Sequence, residues 1–299
     1  MFIINHKKIF VTISAVLVSL SIIVLIIFGL RLGIDFKGGS LLEINFTNQK
    51  PSQQVIQKEL SSLKLGDIVL QPVGNTGYSI KSRNITDTER ASILKTLGSD
   101  ATQTSFTAIG PSVGAELVRK SIISFILVVL GIILWIAYSF RKASRPVSSW
   151  KYGIIAILAL IHDVTIPVGI FTVISHFMGV DVNTLFVVAI LTILGLSVSD
   201  TIVVFDRIRE NIRIGHFKSF EETVGQSINQ VYVRSLATSS TVMIVLLALI
   251  FFGPTSTKIF AIMLAAGMFF GTYSSLFLAS PILVMVKNHQ DRKKLKAKK

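Results

Sequence analysis

Six apolar runs, parted by short polar segments and one long one, set the pattern of this 299-residue chain. They lie at residues 10–30, 121–140, 153–175, 182–205, 235–253 and 258–286. A helix rises about 1.5 Å per residue and needs about 20 apolar residues to cross a bilayer core. Each run therefore predicts one transmembrane helix. The first is too long and uninterrupted for a cleaved signal peptide, and no small-residue cleavage site precedes Arg31, so it reads as a retained helix.

The long polar segment, residues 31–120, alternates in a way that predicts a folded module. "SLLEINF" (40–46) has the period of a strand. "SQQVIQKELSSL" (52–63) follows Pro51 and spaces Val55, Ile56, Leu60 and Leu63 as a helix does. "DIVLQPV" (67–73) and "GYSIKSR" (77–83) flank a turn at Gly74-Asn75 and predict two strands. "TDTERASILKTLG" (86–98) opens on Thr86 with Glu89 three residues later, a capping box, and stops at Gly98. "TQTSFTAIG" (102–110) closes as a strand. The predicted order is β-α-β-β-α-β, the split-βαβ or ferredoxin-like pattern. The expected fold class is thus an α-helical polytopic membrane protein with six spans and one inserted α+β domain between the first and second. Its parts are 1–30 (cytoplasmic N-terminus and first helix), 31–120 (extracytoplasmic domain), 121–286 (helices two to six) and 287–299 (basic cytoplasmic tail).

Composition agrees with this picture. Hydrophobic residues make up 51% of the chain and charged residues 15%, with a mean hydropathy of +0.67. The net charge is +14, but the basic residues flank apolar runs instead of forming a nucleic-acid face. His6, Lys7 and Lys8 precede the first run. Arg141, Lys142, Arg145 and Lys151 lie between the second and third, and Arg207, Arg209, Arg213, Lys218 and Arg234 between the fourth and fifth. The tail "KNHQDRKKLKAKK" carries seven Lys or Arg, which also suits contact with anionic lipid. The alternate loop "SHFMGVD" has no Lys or Arg, and "GPTSTK" has one. By the positive-inside rule both termini face the cytoplasm. The absence of cysteine excludes disulfides, thiol catalysis and cysteine metal sites. No catalytic constellation is visible, and neither a cofactor nor a metal is expected.

Three ionisable residues break the apolar pattern: Asp163 beside His162 in the third run, Asp200 in the fourth, and Arg234 at the start of the fifth. Such residues are costly in a membrane and face a bundle interior or a wet cavity. Asp200 lies about 9 Å of helix inside the charged cluster Asp206, Arg207, Arg209, Glu210 and Arg213. The fourth and fifth helices run antiparallel, so Asp200 and Arg234 are expected at similar depth. Arginine favours the charged form of a nearby aspartate, and apolar burial favours the neutral form. The pair admits two readings, a fixed structural ion pair or a protonation switch. Arg234 snorkelling to headgroups is a third. His162-Asp163 is open in the same way. Gly267 to Gly271 and "SLATSST" (235–241) read as close helix packing.

Six pieces in fixed order carry a family resemblance: "GIDFKGGS" (33–40), "IGPSVGAEL" (109–117), "RPVSSWKYGIIAILALIHDV" (145–164), "LGLSVSDTIVVFDRIREN" (194–211), "RSLATSSTVMIVLLALIFFG" (234–253) and "GTYSSLFLASPILV" (271–284). Nearly the whole chain resembles the SecF branch of the SecD/SecF family of protein-export membrane proteins, in the resistance-nodulation-division superfamily. The family's usual "GYSLND" reads "GLSVSD" here, with Leu196 for its tyrosine and Ser199 for its asparagine, while Asp200 and Thr201 stay. The resemblance implies a subunit that works with SecD beside the SecYEG translocon, using a proton or sodium gradient to help draw preproteins across the bacterial cytoplasmic membrane. YajC and a YidC-type insertase are possible further partners, and nucleic acid is not one. The implied ion-coupling residues are Asp200 and Arg234, with Asp163 behind them. Gly33, Asp35, Gly38, Gly39, Thr201, Asp206, Arg207, Arg209, Glu210 and Asn211 are motif residues. Two other readings stand against this. A small-molecule efflux protein of the same superfamily would carry two large loops per chain, and a passive translocon scaffold would tolerate loss of Asp200. An intramembrane aspartyl protease built on Asp163 and Asp200 would need a GxGD element, which "LSVSD" lacks.

Overall fold

The computed structural model describes residues 2–63, 65–140 and 147–296. Arg141, Lys142 and Arg145, expected to mark the cytoplasmic side of the second loop, lie outside the described residues, as do Lys298 and Lys299 of the tail. In chain order the elements are α1 (Lys7–Phe28), β1 (Gly39–Phe46), α2 (Gln53–Ser61), β2 (Val69–Val73), β3 (Gly77–Ser82), α3 (Asp87–Thr96), β4 (Ala101–Ile109), α4 (Pro111–Phe140), α5 (Ser149–Met178), α6 (Thr184–Ile214), α7 (Phe220–Phe252), α8 (Thr255–Ser274) and α9 (Ser280–Lys296). Single helical turns at Phe2–Asn5 and Ile34–Lys37 flank α1, and a π-helical turn at Ser275–Ala279 joins α8 to α9. Among the described residues, six helices are long and apolar enough to cross a membrane. Two compact units divide the chain.

The first unit holds Met1–Gly29, Ser124–Phe177 and Leu185–Lys299. Its helices extend beyond the apolar runs that predict them. The fourth run ends at residue 205, yet α6 continues through Asp206 to Ile214. The fifth begins at residue 235, yet α7 starts at Phe220, where the Ser219 hydroxyl accepts the Glu222 N–H as a helix cap. Residues 220–234 are amphipathic: Thr223, Val224, Ser227, Ile228 and Val231 are buried at helical spacing, and polar residues lie between them. Arg234 therefore sits well inside α7 and does not open it. At the base of the bundle Phe140, Tyr152 and Phe205 are buried together, with Phe140 stacked on Tyr152 at 5.4 Å between ring centres. Small residues bring backbones close. A Cβ on Gly271 would lie 3.3 Å from Ser197 of α6, and one on Gly267 would strike Ile193.

The second unit holds Leu30–Ile123 and Met178–Thr184. Its sheet is antiparallel throughout, in the order β2-β3-β1-β4. Alternation puts Leu42, Ile44 and Phe46 of β1 on one face, opposite Tyr78 and Ile80 of β3. Ile56 and Leu60 of α2 and Ile93 of α3 complete this core, each apolar side chain contributing about 1.5–3 kcal/mol by burial. Val55, expected on the buried face of α2, is exposed, because positions 56 and 60 set the stripe and 55 falls a hundred degrees off it. The capping box of α3 is formed. Thr86 Oγ1 accepts from Glu89 N at 3.3 Å, and Glu89 Oε2 accepts from Thr86 N at 2.9 Å.

Candidate functional site

The glycine-rich turn after α1 fixes how this unit is tied together. Gly33 N–H donates to Val182 O at 2.8 Å, and Val182 N–H donates to Arg31 O at 2.7 Å. Asp35 Oδ2 accepts from the Thr184 N–H and hydroxyl, capping the first turn of α6. Lys81 Nζ meets Asp181 at 2.6 Å, and Gln71 Nε2 donates to Gly179 O at 2.6 Å. Gly38 and Gly39 have φ of 77° and 135°, and a Cβ on Gly39 would sit 2.7 Å from Ser82 O. These motif residues shape backbone and join loops.

Within the first unit, Asp163 of α5 is fully buried at 0% exposure. Its Oδ1 lies 2.7 Å from His162 Nδ1. Its Oδ2 accepts from Ser274 Oγ of α8 at 2.7 Å and from Ser197 Oγ of α6. Three helices thus converge on one carboxylate. A buried charge is tolerated when its lone pairs are filled in this way. Asp200, one turn beyond Ser197 on α6, is half-buried, and its Oδ2 accepts from Thr272 Oγ1 at 3.2 Å. Thr272 in turn meets Ser239 Oγ of α7 at 2.5 Å. Asp200 lies within electrostatic range of both Asp163 and Arg234. The stretch Thr272-Tyr273-Ser274 serves both acids, and the π-helical turn begins at the next residue. Such turns are frequent where a helix is shaped for a function.

Asp200 and Arg234 do not form an ion pair among the described residues. Arg234 is exposed, and the hydrogen-bond partner of Asp200 is Thr272. Thr201 is buried. The charged end of α6 satisfies itself and α7: Asp206 pairs with Arg209 and Arg207 with Glu210, both at 2.6 Å, while Arg207 Nε donates to Gln230 Oε1. Asn211 Nδ2 donates to Ser227 Oγ at 2.8 Å and to Gln230 Oε1 at 2.7 Å. Arg207 and Asn211 tie α6 to α7, and Arg209 donates to Ser139 O of α4. The hydroxyls of Ser197, Ser239, Thr272 and Ser274 are absent from the candidate residues read off the sequence. Small polar residues that support close packing also fill the lone pairs of acids, and position alone does not separate the two uses.

The fold and site define a polytopic membrane protein with acids buried between its spanning helices. The family model for protein export membrane protein SecD/SecF, C-terminal, matches residues 89–289, and the SecD/SecF GG motif matches residues 23–50. The protein translocase subunit SecF of Thermobaculum terrenum is 41% identical over 96% of this chain and 94% of its own. That of Anaerolinea thermophila is 36% identical over 95% of this chain and 93% of its own. The crystal structure of SecDF, a translocon-associated membrane protein from Thermus thermophilus, superposes with a TM-score of 0.80 at 29% identity over 95% of this chain. The chain spans 38% of that SecDF polypeptide. The chain belongs to the SecD/SecF family of protein export membrane proteins.

Proposed function

We propose that this chain is the SecF-type subunit of a translocon-associated complex in the bacterial cytoplasmic membrane, and that it couples an ion gradient to preprotein movement. The observation that carries the coupling is the pair of acids, Asp163 and Asp200, set among α5, α6 and α8 and served by one stretch of α8. An acid kept among spanning helices at such a cost suits a group whose charge changes in a cycle. One charge crossing 100 mV is worth about 2.3 kcal/mol, enough to bias two helix arrangements. Asp200 and Asp163 hold the charge that changes, and Arg234 tunes Asp200 from α7.

The sheet order supports a ferredoxin-like reading of residues 31–120, and the basic flanks support placing that module outside and both termini in the cytoplasm. Residues 1–30, 121–286 and 287–299 then form the membrane and cytoplasmic parts. The SecF name of the relatives and the match to part of a SecDF polypeptide support a SecD-type partner. SecYEG, YajC, a YidC-type insertase and the preprotein itself complete the proposed surroundings. The test is export in cells depleted of this chain and complemented with it. Export is expected to recover with the chain, to fall when the membrane gradient is collapsed, and to track co-purification with the SecD-type partner. Recovery indifferent to the gradient would favour the scaffold.

A further inference from the structure

Ser14 Oγ of α1 and His162 Nε2 of α5 have no hydrogen-bond partner among the described residues, and each residue is 2% exposed. Buried polar atoms of this kind are uncommon and point to an occupant. The register of α1 against α5 puts the two at one depth. Gly169 meets Ser21, where an added Cβ would lie 2.6 Å from the serine Cβ, and His176 meets Phe28 with ring centres 4.2 Å apart. These two contacts are separated by seven residues on each helix, the step of a parallel pair packed along a heptad seam. The same step taken the other way sets Ser14 against His162. Ser175 Oγ, also buried without a partner, lies about 20 Å further along α5 and off this seam. A serine or threonine inside a helix often returns its hydroxyl to the carbonyl four residues back. Thr172, Thr192, Ser227, Thr238, Ser239 and Thr241 do so here. For Ser14 that carbonyl is Phe10 O, which accepts the Tyr273 hydroxyl at 3.3 Å. Tyr273 also stacks on the His162 ring, 6.0 Å between centres. One side chain of α8 thus occupies the ordinary acceptor of Ser14 and covers the ring whose Nε2 lacks a partner.

We infer that one buried water molecule bridges Ser14 Oγ and His162 Nε2 and ties α1 to α5 inside the bundle. Water and a serine hydroxyl each donate and accept, so the bridge forms whichever ring nitrogen carries the hydrogen. Phe10 O, one turn before Ser14, has a second lone pair and supplies a third partner, the number a buried water ordinarily has. A hard cation takes several oxygen ligands, more than this seam offers. An apolar occupant would leave both atoms unpaired. The water holds the ring from its Nε2 side, while Asp163 Oδ1 lies 2.7 Å from Nδ1 on the other. Ser14 is therefore a positioning residue: from α1 it fixes the ring that contacts the buried acid of α5.

The test is nitrogen-15 magnetic resonance on the full chain in lipid bilayers, labelled at its five histidines, with His162→Gln identifying the His162 signals. Wild type is expected to show transfer of magnetisation from water protons to His162 Nε2. Ser14→Val removes the hydroxyl and fills the space beside it. It is expected to abolish that transfer and to shift the Nε2 resonance, whereas Ser14→Thr keeps both as in wild type. A wild-type Nε2 without contact to water overturns the inference and needs no variant, so the test decides even if Ser14→Val fails to fold. Transfer that persists unchanged in Ser14→Val also overturns it, because the water then does not rest on Ser14. Export plays no part in this readout, so the water site and the ion-coupling reading stand or fall separately.

Discussion

Asp35 caps the helix that carries Asp200: its carboxylate accepts from the Thr184 N–H at 2.8 Å and from the Thr184 hydroxyl at 2.7 Å. Sixteen residues further along the same helix stands the half-buried acid. The glycine-rich motif thus fixes where α6 begins. Asp35→Ala leaves a first-turn N–H without its partner and is expected to cost about 1 kcal/mol. Thermal melting of the full chain in detergent micelles reads this, and an unchanged melting temperature would show that water replaces the cap.

Lys81 and Asp181 pair at 2.6 Å with side chains 19% and 22% exposed, so the bridge is partly sheltered. A double-mutant cycle with Lys81→Met and Asp181→Asn is expected to give a coupling energy of about 0.5–1 kcal/mol. A coupling near zero would mean that Gln71 and the backbone bonds to Gly179 and Val182 hold the loop unaided.

The Arg83 guanidinium, hydrogen-bonded to Glu89, holds that carboxyl at about 2, with the Thr86 backbone helping, against an ordinary value of 4.5. The folded value is depressed, so the contribution is complete above about 4.5 and fades as pH falls toward about 2. Melting of the full chain across that window is expected to show a slope that Glu89→Gln reduces. A variant with the wild-type slope would place the acid sensitivity elsewhere.

Gly267 lets α8 approach Ile193 of α6, where even a Cβ would collide. Gly267→Leu is expected to cost about 1–3 kcal/mol by overpacking and to lower the protease resistance of the membrane-embedded chain. Shortening Ile193 to alanine in the same chain is expected to restore part of it.

The six spans, the capping box and the alternation of β1 were legible because each is local. Apolar length marks a membrane helix, and Leu42, Ile44 and Phe46 mark a strand face, without knowledge of what they touch. Helix ends were not. Residues 206–214 and 220–234 continue α6 and α7 on a face of Ile208, Asn211, Val224, Ile228 and Val231, too polar overall to count as a span. Apolar length alone therefore starts α7 too late and makes Arg234 a helix end, where the structure has it inside the helix. Asp163 and Asp200 stood out as charges in apolar runs, but their partners did not. Ser274 lies 111 positions from Asp163, and Thr272 lies 72 from Asp200. Only the packing of α8 against α5 and α6 brings these hydroxyls to the acids, and the expected Arg234 contact gave way to one of them.

Asp200 is proposed to work through its charge. The most direct measurement is preprotein export driven by an imposed gradient in vesicles carrying the full complex with Asp200→Asn, assembly being checked in parallel. Asparagine keeps the size and can still accept from Thr272, but it cannot ionise. The account predicts an assembled complex whose export no longer responds to the gradient. An assembled Asp200→Asn complex that responds as wild type does would contradict it.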